Sequence, residues 1–436
     1  MRVVSIIFAF IGMFFLPLTT FAHTSLERTI PEAGSVVDVS PSTIELRFSD
    51  PLDAGVFEVR LSDSTGAAIP VASTTVSDDA YTLILTPENT LEHDVKVTYS
   101  VVSKDGHPVA GDYSFTVTPP PVVAPEPEPD TSDDPVVDES ETDASTSDGK
   151  MDDSANKEPR DVPLTVNTHS NHAAIDHNVK PLSAVAKGIF LGFLLLVIGL
   201  TIWRHTGVPV RYYGGFLFAL LVSMVVFLLT QVFHFLEVFE NSYWNNFLFD
   251  TQLGRVYFGM ILLIILGLYL LGRNKWVDYG WIFIMIVLKS INSHASSSEF
   301  PFLSIALNSI HLVAAGLWVA GIYLLFMLWK DSIKMSFMKQ FSRVAFWSLV
   351  IMAFTGTIYT AVLTNDFVAL LTSAWGYWLI FKLQLVIGVV IVASFIRQKM
   401  KDDPAFQTRG LLISDAVLAL LILLVVGVLT LSSTAV

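Results

Sequence analysis

Asp105 and His107 stand two residues apart in an extended stretch, Asp105-Gly106-His107-Pro108. Side chains alternate along a strand with period 2, so the carboxylate and the imidazole fall on one side of the backbone. Together they offer one oxygen and one nitrogen ligand to a single cation. Two ligands do not make a tight site, and the best further source is His23. Residues 1–22 have the form of a secretory signal, with Arg2 as a short positive region, Val3 to Leu18 as an apolar run and Thr20-Phe21-Ala22 as a small-x-small cleavage site. The positive region is thin, so an uncleaved anchor is the alternative. Cleavage after Ala22 makes His23 the first residue, which chelates a metal through both its α-amine and its imidazole, a histidine brace. Both groups ligate when deprotonated, so such binding strengthens as pH rises.

The elements that must carry these residues follow from the apolar pattern. Between His23 and Thr118, alternating apolar positions recur at Ile44-Leu46-Phe48, Phe57-Val59-Leu61, Tyr81-Leu83-Leu85, Val95-Val97-Tyr99-Val101 and Tyr113-Phe115-Val117. Turn clusters such as Ser62–Gly66 and Ser77-Asp78-Asp79 separate them. Short strands at this spacing predict an all-β, Ig-like sandwich over residues 23–118. Asp105 and His107 then lie where the strand ending near Ser103 runs out. His93 reads as an exposed turn residue, and Glu27 as a solvated first-strand residue within reach of an outer-shell role.

Residues 119–180 are Pro-rich and then Asp/Ser/Thr-rich, with too few large apolar side chains to fold. They read as an extended, self-repelling tether. From Pro119 to Asp161 there are 14 acidic and 3 basic residues, a net of −11, so most of the chain's net charge of −14 belongs to this linker. His169, His172 and His177 fall near its end and are candidate relay ligands; a polar juxtamembrane stretch that happens to contain histidine is the plain alternative.

The chain is 436 residues long and 52% hydrophobic, too apolar for a soluble protein of this size. Apolar runs that suit spans of about 20 residues lie near residues 182–203, 212–236, 254–272, 276–292, 302–329, 344–364, 375–397 and 411–432. This predicts an all-α polytopic bundle of eight transmembrane helices over residues 181–434, the fourth being the shortest. The loops after the odd-numbered spans carry Arg204, Arg211, Arg273, Lys275, Lys330, Lys334, Lys339, Arg343, Arg397, Lys399, Lys401 and Arg409. The alternate loops carry Glu237, Glu240, Asp250, Glu299 and Asp366 with little Lys or Arg. The positive-inside rule therefore puts the sandwich outside the cytoplasm, in a multi-pass plasma (inner) membrane protein.

In that orientation His234, His294 and His311 share the outer side of the bilayer, while His205 is a solvated residue in a basic cytoplasmic loop. Polar groups at membrane depth are costly and usually functional, so these three are candidate metal contacts, a packed hydrogen-bonded histidine being the bland alternative. Met285 and Met352 are candidates among five intramembrane methionines, since thioethers suit soft ions, although scattered methionines more often serve packing. Lys289, Lys382 and Asp415 are intramembrane charges that pair structurally or, for Lys289, snorkel to the outer surface. The chain has no cysteine, which excludes disulfides, thiolate zinc sites and cysteine nucleophiles. No basic patch points to nucleic acid, and no Walker-type or phosphorylated-Asp motif points to a nucleotide. No constellation reads as an enzyme's.

Several stretches resemble known families. His23, Ser40–Ser49, Tyr99–Ser103, and Asp105–Val109 followed by Gly111–Phe115 resemble the CopC family of periplasmic copper-binding domains. The resemblance implies His23, Asp105 and His107 as Cu(II) ligands. Residues 23–118 contain no methionine, so the Met-rich Cu(I) site of some members is absent. Nitrogen and carboxylate ligands suit Cu(II), which the Irving–Williams order favours. Ser293-His294-Ala295, His311–Gly321, Phe341–Ala345, Thr355-Gly356 and Tyr377–Lys382 resemble the CopD family of copper-resistance and copper-uptake membrane proteins. Asp415 stands where that pattern expects Glu, and Val319-Ala320-Gly321 replaces a more usual Val-Gly-Gly. The fused CopC–CopD resemblance implies copper transport, with import as the leading expectation. Cu(II) is captured outside and passed to outer histidines, with Cu(I) in the membrane and an extracytoplasmic copper chaperone among the expected partners, beside the copper ion and the lipid bilayer. Two other classes remain open: a copper-sequestering resistance protein without net transport, and a membrane redox protein in which paired histidines such as His234 and His311 ligate haem.

Overall fold

The computed structural model describes residues 26–104, 108–118, 181–239, 244–293, 300–330, 333–363, 373–402 and 409–430. Among these, nine strands form a two-sheet sandwich. One sheet runs β1 (Leu26–Ile30), β3 (Ile44–Phe48), β7 (Thr82–Pro87) and β6 (Val71–Val76). The other runs β2 (Val36–Val37), β9 (Pro108–Val117), β8 (His93–Ser103), β4 (Leu52–Asp63) and β5 (Ala68–Ile69). Neighbours pair antiparallel except β2 with β9. The expected alternation sets the core: Ile44, Leu46 and Phe48 are buried while Arg47 between them is exposed, and Val95, Val97, Tyr99 and Val101 repeat the pattern. In β4 the buried residues are Leu52, Val56 and Leu61, whereas Phe57 and Val59 are half-buried, because the strand changes register against β8 between Leu52 and Phe57. His93 is exposed, as expected, at the first position of β8.

The helical part comprises α1 (Pro181–Arg204), α2 (Tyr213–Val238), a short α3 (Trp244–Asp250), α4 (Gln252–Leu270), α5 (Lys275–Ile291), α6 (Pro301–Met327), α7 (Lys334–Leu363), α8 (Ala374–Asp402) and α9 (Arg409–Leu429). Seven of them are long and apolar enough to cross a membrane, making this a multi-pass membrane protein. This corrects the expected eight. The odd one is α5, whose 17 residues reach only about 26 Å at 1.5 Å per residue, so it can cross a hydrocarbon core of about 30 Å only where the bilayer thins around it. Helix α7 begins ten residues before the expected span, because Lys334, Lys339 and Arg343 disqualify its first turns as an apolar run without disfavouring helix.

α1 is the central helix, packing against α2, α6 and α9. It approaches α6 where Gly199 lies on the Gly316 carbonyl, closer than any side chain would allow. Lys187 of α1 is buried and donates to the Thr430 carbonyl beyond α9, at 2.6 Å.

Sandwich and helices share a core. Val56, Val102 and Ala110 of β4, β8 and β9 pack in one cluster with Phe235, Val238, Phe239 and Phe247 around the ends of α2 and α3. The sandwich thus sits on one end of the bundle, at the α2–α3–α4 corner.

Candidate functional site

The seam between sandwich and bundle is built from short-range contacts. The Asp53 carboxylate accepts from the Gly55 amide at 3.1 Å and, through its other oxygen, from the Gln252 amide at 2.7 Å. Gln252 is the first residue of α4, so Asp53 neutralises an orphan N–H and lays negative charge on the positive end of that helix. Thr251 caps the same end from within, accepting from Gly254 N at 2.9 Å and donating to the Phe247 carbonyl at 2.6 Å. Gly55 abuts the Asp250 carbonyl so closely that a Cβ there would collide with it. Across the seam the Ser100 hydroxyl donates to the Val238 carbonyl at 3.3 Å.

This docked end of the sandwich is the one from which the β8–β9 connection leaves. The ladder between those strands ends at the Val102–Pro108 pair, and the Lys104 amide is held by the Pro51 carbonyl at 2.7 Å. Val102 and Ala110, each three residues from the nearer of Asp105 and His107, are buried in the shared core. Asp105, His107 and His23 themselves lie outside the described residues, as do His169, His172, His177 and His294.

His234 is in the last turns of α2, and its Nδ1 is 3.6 Å from the Glu237 carboxylate one turn on. His311 is in α6, with Nδ1 3.0 Å from the Thr355 hydroxyl of α7. Thr355 donates its proton to the Ile351 carbonyl at 2.7 Å, so the hydroxyl accepts from His311, which places the ring proton on Nδ1 and leaves the Nε2 lone pair available. Lys382 is close enough to His311 to act on it electrostatically. Met352 lies within one turn of Thr355, its carbonyl 3.4 Å from that hydroxyl. Met285 is fully buried in the cluster around α2 and α4, whereas Met352 packs in a different one, so the two thioethers do not share a site.

α2 and α6 both pack on α1 rather than appreciably on each other. Among the described residues, no three His, Asp or Glu side chains gather as a metal cluster.

Two expectations change. His205 is not simply solvated: its Nε2 lies 2.9 Å from Asp278, a fully buried carboxylate that also accepts from the Gly272 amide at 2.8 Å. It ties the far end of α1 to the start of α5. Lys289 does not snorkel to the surface but is 5% exposed, beside a polar knot in which Asn308 donates to Ser290 at 3.1 Å and Ser290 meets Ser309 at 3.2 Å. No ion pair joins Lys289, Lys382 and Asp415 among the described residues. Sequence reasoning passed over Asp53 and Asp278, and gave Thr355 only as part of a family resemblance, with no role beside His311. An acid a few residues before a strand's apolar run, or at a helix start, carries no signal until its partner helix is placed.

Two family descriptions match the chain: CopC (CopC domain) over residues 26–118 and CopD (Copper resistance protein D) over residues 335–429. The chain is 22% identical over 416 residues to the copper transport protein CutJ of Bacillus subtilis, covering 87% of this chain and 68% of that protein. It is 30% identical over 107 residues to copper resistance protein C of Escherichia coli, covering 23% of this chain and 84% of the relative. Among solved structures, CopC from Methylosinus trichosporium OB3b matches with 30% identity and a TM-score of 0.21, over 22% of this chain and 95% of its own.

Proposed function

Because the chain belongs to the CopC family, with a CopD domain fused behind its sandwich, we propose that it carries copper across the membrane into the cell. Relatives named for copper transport and copper resistance support copper as the cargo. The positive loops favour a sandwich outside the cytoplasm, and a capture domain on that side supports import as the direction. His23, Asp105 and His107 capture Cu(II) there with nitrogen and oxygen ligands.

The observation that carries the proposal is the seam. The sandwich end bearing the β8–β9 connection is anchored on the α2–α3–α4 corner. A sequestering domain needs only its tether, but a donor domain needs a fixed approach to its acceptor. His311 is the deeper acceptor, its Nε2 turned out by the hold of Thr355 on Nδ1. Passage as Cu(I) would take one electron from a reductant outside the chain; Met352, a turn away, suits that ion, and the linker histidines 169, 172 and 177 form a parallel relay. An extracytoplasmic chaperone supplies the sandwich.

One observation favours a second reading. No three-ligand metal cluster exists among the described helical residues, as expected for a protein that only sequesters copper at its sandwich. Copper uptake by cells grown under copper limitation separates the two. Wild type is compared with His311→Ala and with His23→Ala plus His107→Ala. Loss of uptake in both variants at unchanged expression supports one import route. Unchanged uptake with lowered copper tolerance means that the protein buffers copper at the cell surface.

A further inference from the structure

The last turn of α2 holds a feature that neither the sandwich site nor the His311 position uses. His234 and Glu237 are three residues apart, which puts them on one face of the helix, and Nδ1 stands 3.6 Å from the carboxylate oxygen. Metal bonds to imidazole nitrogen and carboxylate oxygen run about 2.0–2.2 Å, so two such ligands on one ion stand about 3–4 Å apart. The pair is spaced for a shared ion. As an ion pair alone it would do little: the Glu237 side chain is 55% exposed, and exposed pairs of this kind contribute almost nothing to stability.

Its position gives it a use. The next residue, Val238, accepts the hydrogen bond from Ser100 of the sandwich, and Phe235 and Val238 belong to the core shared with Val56, Val102 and Ala110. His234 and Glu237 are therefore within a turn of the place where the docked domain touches the bundle.

We propose that His234 and Glu237 form a cation site of their own at this seam, an exchanging station for a divalent first-row metal, which on the import reading above is Cu(II). The donor set is one imidazole and one carboxylate, the types that suit Cu(II) rather than Cu(I). No third His, Asp or Glu joins them among the described residues, so water or the ion's previous ligands complete the sphere. The site binds weakly and releases readily. A station between a strong capture site and a deeper histidine needs this property, because a tight intermediate would trap the ion.

The test is a Cu(II) titration of the purified full-length chain in detergent, read by the nitrogen hyperfine pattern in electron paramagnetic resonance. His23→Ala plus His107→Ala silences the sandwich in the parent. In that parent a weak Cu(II) signal is expected. Glu237→Gln and His234→Gln should each weaken it at least tenfold, and the double variant should lose no more than either single one, because both belong to one site. Glu237→His should restore binding with a second nitrogen in the pattern, a change that a merely structural role for Glu237 would not produce. A titration of Glu237→Gln that superimposes on its parent overturns the proposal. Uptake measured in parallel keeps the two readings apart. If wild-type cells take up no copper while Glu237→Gln loses the weak signal, the seam site stands and import fails. If wild-type cells take up copper and Glu237→Gln loses neither signal nor uptake, import stands and the seam site fails.

Discussion

Tyr113 carries its hydroxyl into the sandwich core, where no described residue meets it. A buried unpaired hydroxyl costs desolvation without a bond in return. Tyr113→Phe is therefore expected to leave the sandwich as stable as before or stabilise it by up to about 1 kcal/mol, measured by urea unfolding. Burial, with the Asp112 carboxylate nearby, pushes the Tyr99 phenol up to about 12 and pushes Tyr113 up as well. In the unfolded chain both phenols ionise near pH ~10. The unfolded state therefore loses its protons first, and stability falls as pH rises from about 10 to about 12. A sandwich equally stable across that window would show the phenols to be hydrated. In the bundle, Thr355 holds the ring of His311 through Nδ1. Thr355→Val keeps the shape and removes that acceptor, so uptake should fall several-fold while expression holds, and Thr355→Ser should restore it.

At the scale of elements, the seam makes the sharpest prediction. Gly55→Val would drive a side chain into the Asp250 carbonyl, and Asp53→Ala would strip α4 of an external cap worth about 1 kcal/mol. Both should open the seam without touching the sandwich core. The chain has no cysteine, so Ser100→Cys with Val238→Cys gives a clean reporter. A short bismaleimide should join the pair in the native background and fail to do so with Gly55→Val, while Cu(II) binding to the sandwich stays unchanged. Cross-linking that persists with Gly55→Val would show a seam that tolerates the bulk. The elements themselves were largely legible beforehand. The alternation at Ile44–Phe48 and Val95–Val101 fixed which faces go inward, and long apolar runs located the spans, because burial and membrane depth act on each residue singly. The seam was not legible. Asp53, Gly55 and Ser100 are ordinary strand residues until α2 and α4 stand opposite them, and Glu237 looks like a solvated loop acid until its helix is known to reach it. The Asp105–His107 pair was read from its spacing and from the family resemblance, and lies outside the described residues.

For the whole molecule, the docked end of the sandwich stands on the α2–α4 corner, and α1 lies between α2 and α6, the helix that carries His311. Closing the inner ends, His205 on Asp278 ties α1 to α5 across the side away from the sandwich. His205→Leu would leave one oxygen of a fully buried carboxylate without its partner, so the folded bundle should lose about 1–3 kcal/mol and melt at lower temperature in detergent, whereas Asp278→Asn with His205→Leu should recover much of that loss. The shortness of α5 has a consequence beyond packing. A 17-residue helix beside neighbours of 19 to 27 residues draws the surrounding lipid inward, so the membrane thins on that flank and the protein becomes sensitive to acyl-chain length. Reconstituted in bilayers of graded thickness, it should work best in the thinner ones, so that the host lipid sets its pace.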